Sequence, residues 1–148
     1  MKLRVLWVGK TKSAEIAKLC ADYASRIEHF LPLHIFEVKE PKGGMRAEAE
    51  KILAALPESD RVVVLDPKGR AFTSEQLAKF VQQHMTSDSR RLTFVIGGYE
   101  GLADSVKSRA DVQWSLSSLT FTHDLTRVVL LEQLYRALSI IHNLPYSR

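Results

Sequence analysis

A chain of 148 residues that is 45% hydrophobic and 26% charged can bury a core without disulfides or metal, and is too apolar to be disordered. Its 21 basic and 17 acidic residues leave a net charge of +4, which suits a polyanionic partner but also fits an enzyme that has none. The lone Cys20 excludes an intrachain disulfide, and the absence of long apolar runs excludes a membrane span of ~20 residues, so a cytoplasmic protein is expected.

In chain order, the segment 3–8 (LRVLWV) reads as a strand and is too short for a secretion signal. Residues 14–30 follow with Ile16, Leu19, Cys20, Tyr23, Ala24 and Ile27 on one helical face. Cys20 there behaves as a small core hydrophobe. A strand at 33–38, a turn at Pro41-Lys42-Gly43-Gly44 and a helix at 46–56 come next. Strands at 61–65 and 92–96 flank a helix at 74–84, whose Thr73 and Gln76 form a capping-box pattern. A helix at 103–110, a brief strand around 113–116 and a helix at 125–143 complete the chain.

Strands 3–8, 61–65 and 92–96 are almost continuously apolar, as in a parallel sheet buried on both faces. Alternation of strands and helices predicts a single α/β domain over residues 1–148, an α/β sandwich around a parallel sheet. The last helix is apolar around most of its circumference, from Val128 to Ile141. Such a helix needs burial on two sides, by a homodimer or by deep packing within one chain.

Ligands of open α/β sheets bind at the carboxyl ends of strands. Three segments stand there. Leu65-Asp66-Pro67-Lys68-Gly69 has the composition of a turn. Gly97-Gly98-Tyr99-Glu100-Gly101 is GGxxG, not the GxGxxG of dinucleotide binders, and no acidic residue follows the first strand where a Rossmann enzyme needs one. Its glycines permit either a tight turn or close approach of backbone to a flat ligand. The stretch from Ser115 to Asp124 mixes hydroxyls with Leu and Phe and supplies Thr122 or Asp124 as a helix cap. The five histidines, His29, His34, His84, His123 and His142, lack metal-ligand spacing, and no metal is expected.

Taken together, Leu-Asp-x-x-Gly at 65–69, Val-Ile-Gly-Gly-x-x-Gly-Leu at 95–102, Leu-Ser-x-Leu-Thr-Phe-x-His-x-x-x-Arg-Val at 116–128 and the closing Pro145-Tyr146 resemble the RlmH family of SPOUT methyltransferases. Val8-Gly9-Lys10 and Glu132-Gln133-x-Tyr135-Arg136-Ala137 are similar as well. The resemblance implies a C-terminal trefoil knot, a homodimer, and S-adenosylmethionine as cofactor. It further implies methylation of N3 of a pseudouridine in large-subunit (23S) rRNA of the assembled ribosome. Carried over by position, Leu65, Gly97, Leu116, Ser117, Ser118, Leu119, Thr120 and Phe121 line the cofactor pocket. Arg148 is the expected electrostatic stabiliser and Tyr146 a stacking or hydrogen-bonding group at the target base. His123 is an alternative base, unless it only braces the loop against the last helix. Two positions depart from the pattern: Ser147 stands where histidine is usual, and Thr122 where proline is common. The first leaves open a catalytically impaired ribosome- or RNA-binding module of the same fold.

Overall fold

The computed structural model describes residues 2–146. Five strands, β1 (Leu3–Val8), β2 (Leu33–Val38), β3 (Arg61–Ala71), β4 (Leu92–Ile96) and β5 (Val112–Ser115), form one sheet in the order β2-β1-β4-β3-β5. Every pairing is parallel. Helices α1 (Ala14–Glu28), α2 (Gly44–Ala54), α3 (Ser74–Ser87), α4 (Asp104–Arg109) and α5 (His123–Ile141) connect and cover the strands. The predicted α/β architecture is the one observed.

Side-chain alternation assigns the helices to two faces. Leu3, Val5 and Trp7 of β1 join Val63, Phe94 and Ile96 in a core with residues of α1, α3 and α5. Leu6 and Val8 point the other way, joining Val62, Val64 and Val95 in a core with residues of α2 and α4. Burial on both faces explains the unbroken apolar runs. Helix α5 drives a continuous row, Leu130, Leu131, Leu134, Ala137 and Leu138, into the first core. Each of its leucines contributes about 1.5–3 kcal/mol by leaving water.

Helix ends follow local chemistry. Ser13 caps α1 by accepting from the Ile16 amide, and Thr73 and Gln76 make the expected reciprocal capping box. Helix α1 stops at Glu28 rather than Phe30, because the His29 and Phe30 amides turn to carbonyls three residues back, Arg26 and Ile27, and Pro32 has no N–H to offer Glu28. Helix α5 begins at His123, two residues before the expected start, because Thr122 is its N-cap.

Strand β3 departs most from expectation. The composition of Asp66-Pro67-Lys68-Gly69 reads as a terminating turn, yet the strand resumes beyond it. Trp114 of β5 pairs first with Leu65 and then with Arg70, and Ser115 pairs with Ala71. The intervening residues are an outward loop within the strand, closed by its neighbour.

Adjacent strands β3 and β4 are followed by helices on opposite faces, α3 and α4, and this leaves a crevice beyond their carboxyl ends. From β5 at the sheet edge, residues 116–121 cross that crevice, and α5 returns to the end of β1, where Arg127 donates to the Val8 carbonyl at 2.6 Å. Among the described residues no helix is long and apolar enough to cross a membrane.

Candidate active site

A cavity of about 370 Å³ occupies the crevice, a size suited to a small-molecule ligand. Its walls come from the three strand-end segments. The first wall is the β3 loop. A Cβ at Gly69 would sit 2.6 Å from the Gln113 carbonyl and 2.7 Å from the Trp114 nitrogen, so only glycine lets the loop close onto β5. Asp66 is 7% exposed, accepts from the Lys68 amide at 3.0 Å and pairs with Lys107 at 3.3 Å. The Lys68 amide, assisted by the Lys107 ammonium and opposed by burial, holds this carboxyl below its ordinary range.

The second wall is the glycine turn. The Gly101 amide donates to the Gly98 carbonyl at 2.9 Å, and Gly101 has a φ of +83°, a conformation glycine adopts without strain. The Gly98 amide points the other way and donates to Glu48 of α2 at 2.9 Å. Glu48 thus fastens the turn to α2, which packs on the same face of the sheet as α4.

The third wall is the segment after β5. Ser117 shapes it twice, accepting at its carbonyl from Ser115 Oγ at 3.0 Å and at its own hydroxyl from the Leu119 amide at 2.9 Å. The start of α5 is tied to the start of α1, because Asp124 accepts from the Lys12 amide at 3.2 Å and the Ser13 amide at 2.7 Å. Burial works against the Asp124 carboxylate, but these two amides hold its pKa down.

Residues 1–147 match the family described as "Predicted SPOUT methyltransferase". The chain belongs to the SPOUT methyltransferases. Its relatives include the ribosomal RNA large subunit methyltransferase H of Syntrophotalea carbinolica, 42% identical over 99% of this chain and 98% of that protein. The protein of the same name from Geobacter sulfurreducens is 43% identical over 99% of each. A solved structure of a probable methylase family protein from Haemophilus influenzae superimposes with a TM-score of 0.61, covering 95% of this chain and 66% of that one. At 11% identity that likeness concerns the fold alone.

In this SPOUT methyltransferase, Leu65, Gly97, Leu116, Ser117, Leu119, Thr120, Phe121 and His123 all border the cavity, and Ser118 does not. Tyr146 lies elsewhere. Its hydroxyl donates to Glu132 at 3.0 Å and meets Tyr23 at 3.1 Å, and its ring packs edge-on against Tyr135. Glu132 is nine residues beyond His123 on α5, so the two sites are separated by about 14 Å of helix. Ser147 and Arg148 lie outside the described residues. Sequence reasoning passed over Asp66, Lys107 and Glu48. Asp66 was visible inside a quoted motif, but its burial was not, and Glu48 sits in no motif.

Replacing Glu48 by alanine strips the Gly98 amide of its acceptor, a loss of about 1–3 kcal/mol confined to the turn. Hydrogen exchange at Gly98 and Tyr99 is expected to accelerate, and ligand affinity at the cavity to fall. Glu48→Gln keeps an acceptor and restores both. Equal exchange in all three proteins would show that the clamp is idle.

Proposed function

We propose that this chain transfers a methyl group from S-adenosylmethionine to N3 of a pseudouridine in the 23S rRNA of the assembled ribosome. It acts as a single domain over residues 1–148, as a cytoplasmic homodimer with the trefoil threading of its family. The observation that carries this reading is the cavity formed jointly by the three motif segments. Full-length likeness to proteins named ribosomal RNA large subunit methyltransferase H supports it.

The lining suits such a cofactor. Leu65, Leu116, Leu119 and Phe121 offer apolar surface to an adenine ring, and Gly97 lets backbone come close. Ser117 and Thr120 add hydroxyls, and Ser118 belongs to the same segment without bordering the cavity. Asp66, Glu100, Lys68 and Lys107 place both signs of charge at the rim, matching a ligand that carries both. S-adenosylmethionine supplies an electrophilic methyl on a sulfonium. The protein's task is then to align the acceptor nitrogen and to stabilise it as its proton leaves.

Of the three expected catalytic groups, His123 alone among the described residues borders the cavity, which supports assigning it the role of proton acceptor. Tyr146 is anchored farther along α5, so its action on a base at this cavity requires a second copy of the chain. That arrangement agrees with the outer side of α5, where Val129 remains partly exposed and Leu125 is open. No cluster of three metal-ligating side chains occurs among the described residues.

The test is mass spectrometry of 23S rRNA from cells lacking the gene, paired with calorimetric titration of the protein with S-adenosylmethionine. One lost methyl group, restored on complementation, together with saturable binding is expected. Unchanged rRNA would overturn the assignment. Binding without transfer to ribosomes would favour the impaired RNA-binding module that Ser147 suggests.

A further inference from the structure

A second cavity, about 640 Å³, opens at the carboxyl end of β1 directly beside the first. The two share Gly98, Tyr99, Thr120, Phe121 and His123 as a common wall. None of the expected site residues explains this space as a whole, and its chemistry differs from that of its neighbour. Lys10 and Lys12 are exposed on its lip, and neither ammonium makes an ion pair among the described residues.

Behind them lies Arg127, only 3% exposed. Its two terminal nitrogens donate to Thr11 Oγ1 at 3.0 Å and to the Val8 carbonyl, and its Nε is buried without a partner. Two carboxylates, Glu40 and Asp124, face these three cations. Three cations against two carboxylates leave the cavity a positive excess, and the Lys12 and Ser13 amides already engage Asp124. The shared wall also carries Tyr99, 82% exposed, a large ring for which the core has no use.

We infer that this second cavity receives a nucleotide of the RNA strand being methylated. Lys10 and Lys12 contact its backbone phosphate, and Tyr99 and Phe121 offer ring surface to an unstacked base. The inference rests on the methyl-transfer reading above and deepens it. A methyl acceptor has to lie against the donor, and the shared wall is where the two spaces meet. Single-stranded RNA is recognised by aromatic stacking combined with cations along the backbone, and both are present here. An apolar protein partner would leave the two ammoniums buried without counter-charge.

The experiment compares the wild-type chain with Lys10→Ala/Lys12→Ala, Lys10→Arg/Lys12→Arg and Tyr99→Ala. Transfer of labelled methyl to ribosomes from cells lacking the gene is followed at several potassium chloride concentrations. Binding of a short single-stranded RNA is followed by fluorescence anisotropy. The alanine pair is expected to raise KM for ribosomes about tenfold and to flatten the salt dependence by about 0.7 in log–log slope for each phosphate no longer neutralised. S-adenosylmethionine affinity by calorimetry should stay unchanged, and the arginine pair should recover the wild-type KM. Tyr99→Ala should weaken RNA binding without altering the salt slope.

Unchanged KM and slope in the alanine pair would overturn the inference. So would a change in oligomeric state with RNA affinity intact, which would make this face a contact between copies. If the wild-type chain neither binds the cofactor nor modifies ribosomes, the function reading fails on its own. The anisotropy comparison still decides whether Lys10, Lys12 and Tyr99 hold RNA.

Discussion

Replacing Gly97 by valine is expected to abolish ligand binding at the strand-end cavity while leaving a protein that still unfolds cooperatively. A Cβ at this position would lie 2.6 Å from Leu102 Cδ2, 2.9 Å from its Cγ and 3.3 Å from the Gly101 carbonyl carbon. Leu102 is 8% exposed and packs into the core beneath α4, so it has little room to yield. The branched side chain must therefore push the Gly97–Gly101 turn into the cavity. Overpacking of this kind costs about 1–3 kcal/mol, which lowers the melting temperature without unfolding the domain. Calorimetry should show no heat of binding for S-adenosylmethionine, and Gly97→Ala should show weakened binding. Full affinity in the valine variant would mean that the ligand sits away from this wall.

The second large effect concerns the opposite rim of the sheet. Asp60 is 3% exposed and accepts from Arg91 at 3.0–3.2 Å and from Thr93 Oγ1 at 2.8 Å, with Arg4 at 3.7 Å. Arg4 is itself 5% exposed. Burial is the main pressure lowering its pKa, the Arg91 charge adds to it, and Asp60 is the countering anion. Removing the carboxylate strands two guanidinium groups in or near the interior. Asp60→Ala is expected to lose about 3–5 kcal/mol in denaturant unfolding. Asp60→Asn, which still accepts from Thr93, should lose less. Because this network lies at the amino ends of β1, β3 and β4, ligand affinity per folded molecule should be unaffected. A loss under ~1 kcal/mol in the alanine variant would show that water or rearranged neighbours replace the carboxylate.

The parallel sheet was legible in the sequence because burial on both faces leaves unbroken apolar strands, and the start of α3 followed from the Thr73–Gln76 capping box, whereas α1 ends two residues before its expected end and α5 begins two residues before its expected start. The strand-end segments could be picked out because proteins of this architecture bind ligands there. What stayed hidden depends on partners distant in sequence. Asp66-Pro67-Lys68-Gly69 has a turn's composition, and only the backbone of β5 makes it an interruption within a strand. Arg127 is visible in the sequence only as the arginine of the third motif, whereas in the fold it is buried against β1. Glu48 and the lysines of the second cavity acquire meaning only when α2 and β1 are brought beside the glycine turn.

The looped β3 segment also bears on how a ligand gets in. Pinned on one side by the Leu65–Trp114 pairing and on the other by Arg70 and Ala71, it cannot swing open without breaking the sheet ladder. That wall is preorganised, and its ordering entropy was spent in folding. Opposite it, Leu119 is 72% exposed and Tyr99 stands free on a turn held by the Glu48 contact and one internal hydrogen bond. The β3 side of the crevice is therefore its fixed wall, and the Tyr99 and Leu119 side its exposed one.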